Sequence, residues 1–134
     1  MRIRQIGSAI AITACLWGAG PAAAETSEEP IMQIMQIDTH GRNAEYLQLV
    51  QRAIARQNAV SPGIDTHIYQ ASFAGAETGR LLIVLRYPSM TFLVAAQKRL
   101  GADAEWNRLT NEVAVQTQRS LLGNSLFVDV TPQP

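Results

Sequence analysis

Cysteine is nearly absent from this chain, and histidine is scarce. The 134 residues contain one cysteine, Cys15, and two histidines, His40 and His67. One cysteine cannot form an intramolecular disulfide or the cysteine clusters of structural zinc sites. Although His40 follows Asp38 closely, two such groups do not form a metal site without further ligands. The domain must therefore be stabilised by burial of its core, with or without oligomerisation, and we expect no metal.

A hydrophobic run long enough to cross a bilayer is also missing. The N-terminal run covers residues 6–20, after Arg2 and Arg4, and is shorter than the roughly 20 residues that a spanning helix needs. Three alanines follow, ending at Ala24. A positive start, a short apolar run and small residues before a cleavage position form a secretory signal. We therefore predict that residues 1–24 are a signal peptide and that the mature protein is exported, to the periplasm.

Cys15 leaves one alternative open. The tetrapeptide Ile12–Cys15 resembles a bacterial lipobox, in which the cysteine becomes the lipid-modified first residue. If the chain is instead cleaved after Ala24, its only cysteine leaves with the signal and thiol catalysis is excluded. Mass spectrometry of the mature N-terminus distinguishes the two outcomes.

Excess positive charge is missing from the mature chain. Removing residues 1–24 takes Arg2 and Arg4 from eleven basic residues and nothing from eleven acidic ones, which leaves a net charge of −2. Without a basic stripe, nucleic acid and an anionic membrane surface are not expected partners. A glycine-rich phosphate loop, a Gly-x-Ser-x-Gly turn and a His-Glu-x-x-His pair are absent as well.

What the chain does contain is a regular alternation of strand and helix patterns after an acidic lead-in, residues 25–30, which we predict to be disordered. Short segments rich in β-branched and aliphatic residues predict strands, and apolar residues three and four apart predict helices. The predicted strands cover 31–38, 65–73, 80–87 and 125–131, and the predicted helices cover 42–58, 90–100 and 104–119. Ser89 and Asp103 are placed to cap the second and third helices, and Gly101 to end the second.

The order of these elements is β-α-β-β-α-β, with the second helical region divided in two. This is the ferredoxin-like α+β arrangement, a four-stranded antiparallel sheet with helices on one face, in one domain over 31–134. A sheet with one face in water should alternate apolar and polar residues. Leu81–Leu85 does not alternate, and both faces of 31–37 carry Ile or Met. We predict a homodimer with its sheets packed face to face; the alternative is a monomer whose third strand is merely central and hydrophobic.

Three segments resemble a known family. Residues 79–90 (GRLLIVLRYPSM) end a strand in Pro-Ser, residues 95–100 (AAQKRL) end a helix, and 103–106 (DAEW) start the next. Together with residues 37–42 and Tyr46, they are similar to the dimeric α/β-barrel superfamily. More narrowly, they resemble its antibiotic-biosynthesis-monooxygenase-like and NIPSNAP-like members. One departure is Ala104, which stands where a proline is usual.

The resemblance implies a homodimer whose sheets form a barrel, with a cleft in each subunit between sheet and helices. It implies further that some relatives oxidise polycyclic aromatic substrates without metal or flavin, and that others degrade haem. The haem-degrading relatives use a helical histidine as iron ligand, whereas His40 and His67 fall in a predicted turn and strand. We therefore expect no cofactor.

Four residues are candidates for a site. His67 and Tyr69 are two apart on a strand and so share one face, where they could act as a catalytic acid–base pair or simply pack together. Trp106, on an apolar helix face, could stack on a ligand or anchor the core. Arg86 lies in an apolar strand, so its charge must reach water, a carboxylate or an acidic ligand.

From these features we predict an exported dimer that binds a small, largely apolar or aromatic molecule. The enzyme hypothesis is a cofactor-independent monooxygenase. The opposing hypothesis is a non-catalytic binding or stress-related periplasmic protein.

Overall fold

The computed structural model of the chain describes residues 29–72, 75–132 and 134. Residues 1–28 lie outside the described residues, and with them the predicted signal peptide, Cys15 and most of the predicted lead-in. The structure does not test those predictions. Of the lead-in, Glu29 and Pro30 are described and exposed. The carbonyl of Pro30 accepts a hydrogen bond from the Asp129 amide at 3.3 Å.

The element order confirms the ferredoxin-like α+β fold. The strands are β1 (Ile31–Asp38), β2 (Asp65–Gln70), β3 (Leu81–Tyr87) and β4 (Ser120–Val128); the helices are α1 (Asn43–Val60), α2 (Met90–Gly101) and α3 (Ala104–Thr117). A single 3-10 turn, Gly75–Glu77, lies in the described part of the connection between β2 and β3. The four strands form one antiparallel sheet in the order β2-β3-β1-β4.

Helix starts follow the predicted caps. The Ser89 hydroxyl accepts from the Phe92 amide, and the Asp103 carboxylate accepts from the Trp106 amide, so each satisfies an unpaired N–H of the first helical turn. The prediction that Gly101 ends α2 as a cap is wrong. Gly101 is the last residue of the helix, and Ala102 takes the cap position in an ordinary right-handed conformation.

The last strand departs most from its predicted bounds. It was expected at 125–131, but it starts at Ser120 and ends at Val128. Its first half includes Gly123 and Asn124, residue types that strand propensity disfavours. Pairing with β1 outweighs that preference, and a register shift between Gln36 and Ile37 absorbs the irregularity.

The core lies between the sheet and the helices. Alternate residues of β1 and β3, among them Ile31, Met35, Ile83 and Leu85, are buried on this side against the apolar residues of the three helices. The bidentate ion pair of Arg56 with Asp103, at 3.0 and 2.6 Å, joins α1 to the start of α3. The other side of the sheet, which we call the open face, carries the intervening side chains of all four strands. They are Met32, Ile34, Gln36, Asp65, His67, Tyr69, Leu82, Val84, Arg86, Ser125 and Phe127.

Candidate ligand-binding site

The centre of the open face is apolar. Strand register places Ile34 of β1 beside Val84 of β3, and Met32 between Arg86 and Phe127. These side chains point away from the helices, because alternate residues of a strand project to opposite sides. Phe127 remains 48% exposed and Tyr69 49% exposed. Val84 is itself only 7% exposed, but partly exposed apolar side chains grouped in this way are typical of an interaction surface.

A group of charged and aromatic side chains lies at the β2 edge of this face. Register places Asp65 opposite Arg86 and His67 opposite Val84. The His67 Nε2 is 2.9 Å from Asp65 Oδ1, and the Arg86 Nη1 is 3.8 Å from Asp65 Oδ2. The rings of His67 and Tyr69 stack with centroids 6.1 Å apart and an interplanar angle of 24°. One carboxylate thus contacts an imidazole and approaches a guanidinium.

A cleft of about 740 Å³ opens at one end of the sheet. The start of β1 and the end of β4 form most of its wall, and Arg86 closes the side nearest β3. Its lining comprises Pro30, Ile31, Met32, Arg86, Phe127, Val128, Asp129, Val130, Thr131 and Pro132. Small-molecule sites in proteins are typically concave, mostly apolar and of about 300–1,000 Å³. By size and lining, this cleft suits a small molecule.

The four predicted site residues are divided between the two sides of the sheet. His67, Tyr69 and Arg86 share the open face, and Arg86 also lines the cleft. Trp106 is 2% exposed in the core, on the helix-covered side. The structure therefore brings three of the four together and leaves the indole apart from them.

A buried polar group on the helix-covered side was not predicted. The Tyr87 hydroxyl donates to Gln33 Oε1 at 3.0 Å, and the Gln33 side-chain amide donates to Asn124 Oδ1 at 2.9 Å. Burial raises the pKa of the Tyr87 phenol far above its usual range, which keeps it protonated. The sequence did hold a signal, since Gln33 occupies the same alternate positions as Ile31 and Met35, where a polar residue must find a partner.

A second interior polar feature lies near the start of α1. Burial raises the pKa of the Tyr46 phenol to about 12, and the positive charge of Arg119 opposes that rise. The Nε atom of Arg119 is buried without a hydrogen-bond partner. Most buried donors in proteins are paired, so this arrangement is unusual.

The described residues contain no cluster of three or more His, Cys, Asp or Glu side chains that could hold a metal ion. His40 contacts Asp38 through Nδ1 at 3.7 Å and Ser120 through Nε2 at 2.9 Å. Within the same part of the chain, every helix is too short or too polar to span a membrane.

Comparison with solved structures confirms the fold that the resemblance implied. A NIPSNAP family protein from Agrobacterium tumefaciens matches with a TM-score of 0.60 and 16% identity over 78% of this chain and 89% of that chain. SnoaB, a cofactor-independent oxygenase from Streptomyces nogalater, matches in a mutant form with a TM-score of 0.57 and 13% identity over 79% and 98%. A Caulobacter crescentus protein assigned to the antibiotic biosynthesis monooxygenases matches with a TM-score of 0.52 and 14% identity over 78% and 93%.

No family model and no curated protein matches the sequence. At these identities the solved structures establish a shared fold, while the activity has to be argued from this chain's own residues.

Proposed function

We propose that the protein is exported, forms a homodimer through the open faces of two sheets, and holds a small, largely apolar molecule in the cleft beside Arg86. The observation that carries the proposal is the apolar centre of the open face, which no described helix covers. Burying apolar surface contributes about 25 cal/mol per Å², so a covered face is favoured over one left in water.

The distribution of residue types on this face supports self-association. Ile34 and Val84 occupy its middle, whereas Asp65 lies on the edge strand β2 and pairs with Arg86 near the end of β3. Protein interfaces commonly have an apolar centre and a polar rim. A two-fold axis through the face would bring the same patch of both copies together, as in most homodimers.

Within a single subunit, the placement of the candidate acid–base pair favours binding over catalysis. His67 and Tyr69 lie on the open face, each about half exposed, and no described helix covers them. Acid–base groups gain much of their strength from sites that exclude water. The cleft, by contrast, already has the size and the apolar lining of a small-molecule site.

The test uses the full-length gene expressed in a bacterial host with an intact export system. We expect the mature chain to begin at Glu25 by mass spectrometry, to be dimeric by light scattering at micromolar concentration, and to carry a co-purifying small molecule by native mass spectrometry. A lipidated Cys15 would contradict cleavage after Ala24. A compact monomer would contradict the dimer, and a mass equal to bare protein would count against a bound ligand.

Cofactor-independent oxygenation is the second candidate, favoured by one observation. Asp65 contacts His67 at 2.9 Å, so it can orient the imidazole while the imidazole takes a proton from a substrate. The fold is also that of SnoaB, a cofactor-independent oxygenase. A partner's sheet packed on this face would exclude water from the pair.

An oxygen electrode tests this second candidate. With a polycyclic phenol as substrate, we expect oxygen uptake that His67→Gln reduces at least about a hundredfold. The matched control is His40→Gln, because His40 lies at the opposite end of β1 from the cleft and contacts Asp38 and Ser120. Equal uptake by wild type and His67→Gln, or none by wild type, would reject oxygenation through this histidine.

A further inference from the structure

Among the described residues that line the cleft, Arg86 is the one cation and Asp129 the one anion, and the anion is already engaged. Asp129 accepts a hydrogen bond from the Thr131 amide at 2.9 Å. Bonding to the Thr131 side chain and amide lowers the pKa of Asp129, which keeps it ionised at neutral pH. This carboxylate therefore caps its own turn of chain, and it makes no ion pair with Arg86 within 4 Å.

Arg86 is held only weakly by the protein. Its Nη1 is 3.8 Å from Asp65 Oδ2, beyond hydrogen-bond distance, and both side chains are 57% exposed. The other oxygen of Asp65 contacts His67 at 2.9 Å. A guanidinium presents five N–H donors in a planar fork that matches a carboxylate. Arg86 thus retains the capacity to bind a second carboxylate from outside the chain.

Next to this cation the cleft wall is apolar and uncovered. Met32 is the neighbour of Arg86 across the β1–β3 pair, and Phe127 is the neighbour of Met32 across the β1–β4 pair. Val130 lines the same cleft and is largely exposed. A molecule with an acidic end and an apolar body therefore finds the two surfaces it needs side by side.

We propose that the molecule held in the cleft is an amphipathic carboxylate, with its acid group on Arg86 and its apolar body along Met32 and Phe127. This inference rests on the proposed ligand-binding function and narrows it to one chemical class. Asp129 is bonded to Thr131 and Asp65 contacts His67, so neither carboxylate occupies the N–H donors of Arg86, although their negative charges reduce the preference for an acid.

Isothermal titration of the mature dimer with two matched probes tests the proposal. The probes are 4-butylbenzoate and 4-butylbenzyl alcohol, which share an apolar body and differ in the acid group. At pH 7.5 and low salt we expect the acid to bind at least about fivefold more tightly, as expected of a charge-assisted contact at a half-exposed site. Arg86→Gln should bring the ratio of the two affinities to about one.

Two further variants make the result specific. Asp65→Asn removes the competing carboxylate and should tighten binding of the acid about twofold or more, which gives a gain rather than a loss. Arg80→Gln is the matched control, since Arg80 pairs with Glu77 at 3.0 Å just before the start of β3 and does not line the cleft. It should leave both affinities unchanged.

The outcomes separate this inference from the proposed function. Equal binding of acid and alcohol, unaffected by Arg86→Gln, would overturn the carboxylate assignment while leaving an apolar ligand in place. Binding of neither probe would overturn both. Light scattering during the titration adds a third outcome: if the acid separates the dimer, the cleft belongs to the subunit interface and the assignment is overturned.

Discussion

The two faces of the sheet are built from the same strands yet differ in what covers them. β1 supplies Ile31 and Met35 to the helix-covered side, where they are almost fully buried, and Met32 and Ile34 to the open face, where they are only partly covered. Both sets are apolar, so a strand's composition does not tell which side its own helices will cover. The difference supports the proposal that the open face contacts a second copy of the chain.

Polar groups differ between the faces in the same way. On the helix-covered side, Tyr87, Gln33 and Asn124 are neutral and joined by short hydrogen bonds. On the open face, Asp65 and Arg86 are charged, 3.8 Å apart and half exposed. Burial in the core demands satisfied neutral partners, whereas an exposed edge tolerates loosely paired charge. This loosely paired charge is the basis of the proposed recognition of a carboxylate.

Removing one aromatic side chain from each face should give the largest difference in the free energy of unfolding. We expect Trp106→Ala to lower the free energy of unfolding by about 3–5 kcal/mol, because it leaves a cavity in the core. Phe127→Ala, on the open face, should cost much less in the monomer. Urea denaturation at several protein concentrations measures both. Equal losses for the two variants at low concentration would contradict the division between the faces.

A charge in the middle of the open face should break the dimer and spare the fold. Ile34→Glu would bury two unpaired carboxylates in the proposed interface, and we expect the dimer dissociation constant to rise at least about a hundredfold. Analytical ultracentrifugation measures it, and circular dichroism reports on the fold. The matched control is Glu45→Gln on the exposed surface of α1, where Glu45 pairs with Arg42. An unchanged dissociation constant for Ile34→Glu would mean that the dimer interface does not include the middle of the open face.

Loss of one hydroxyl from the buried polar group should have a moderate effect. Tyr87→Phe removes the donor to Gln33 Oε1, and we expect a loss of about 1 kcal/mol in the free energy of unfolding. The equivalent change on the open face, Tyr69→Phe, should alter monomer stability by less, because Tyr69 is half exposed. Thermal denaturation measures the loss of stability in both variants. A larger loss for Tyr69→Phe than for Tyr87→Phe would contradict the assignment of Tyr87 to the core and of Tyr69 to the open face.

The smallest expected effect is a change in how stability depends on pH in the acidic range. The hydrogen-bonded Arg56 guanidinium, aided by the Trp106 amide, lowers the pKa of Asp103. The stability that Asp103 contributes is therefore fully present above its unfolded-state pKa of about 4 and is lost as the pH falls through the lower folded-state pKa. Asp103→Asn should lower the melting temperature slightly at pH 7, with the difference from wild type shrinking below pH 4. A difference from wild type that does not change between pH 7 and pH 3 would contradict the prediction.

Local patterns predicted most of the elements correctly. The three- and four-residue spacing of apolar residues predicted α1, and the aliphatic run before Tyr87 predicted β3. Ser89 and Asp103 cap α2 and α3 as their residue types indicate. The start of β4 was missed because Gly123 and Asn124 disfavour a strand by themselves, and only the hydrogen bonds from β1 hold them extended.

The candidate site was predicted in part. The spacing of two residues along a strand correctly placed His67 and Tyr69 on one face of the sheet. The apolar neighbours of Arg86 along its strand correctly indicated that the guanidinium must reach water or a partner. Spacing could not show that Asp65 lies opposite Arg86, since the two are brought together by strand register. The cleft could not be predicted from local patterns either, because most of its wall comes from the start of β1 and the end of β4, which are far apart in the sequence.

By itself, the sequence determined the order of the elements, their caps and which side chains share a face, because these depend on periodicities within a few residues. It also indicated that both faces of the sheet are apolar. The tertiary structure alone decided which face the helices cover, which strands are neighbours, and that Met32, Arg86 and Phe127 meet at one cleft. The reason is physical: strand register and helix packing are set by contacts between segments far apart in the chain, and no local pattern contains them.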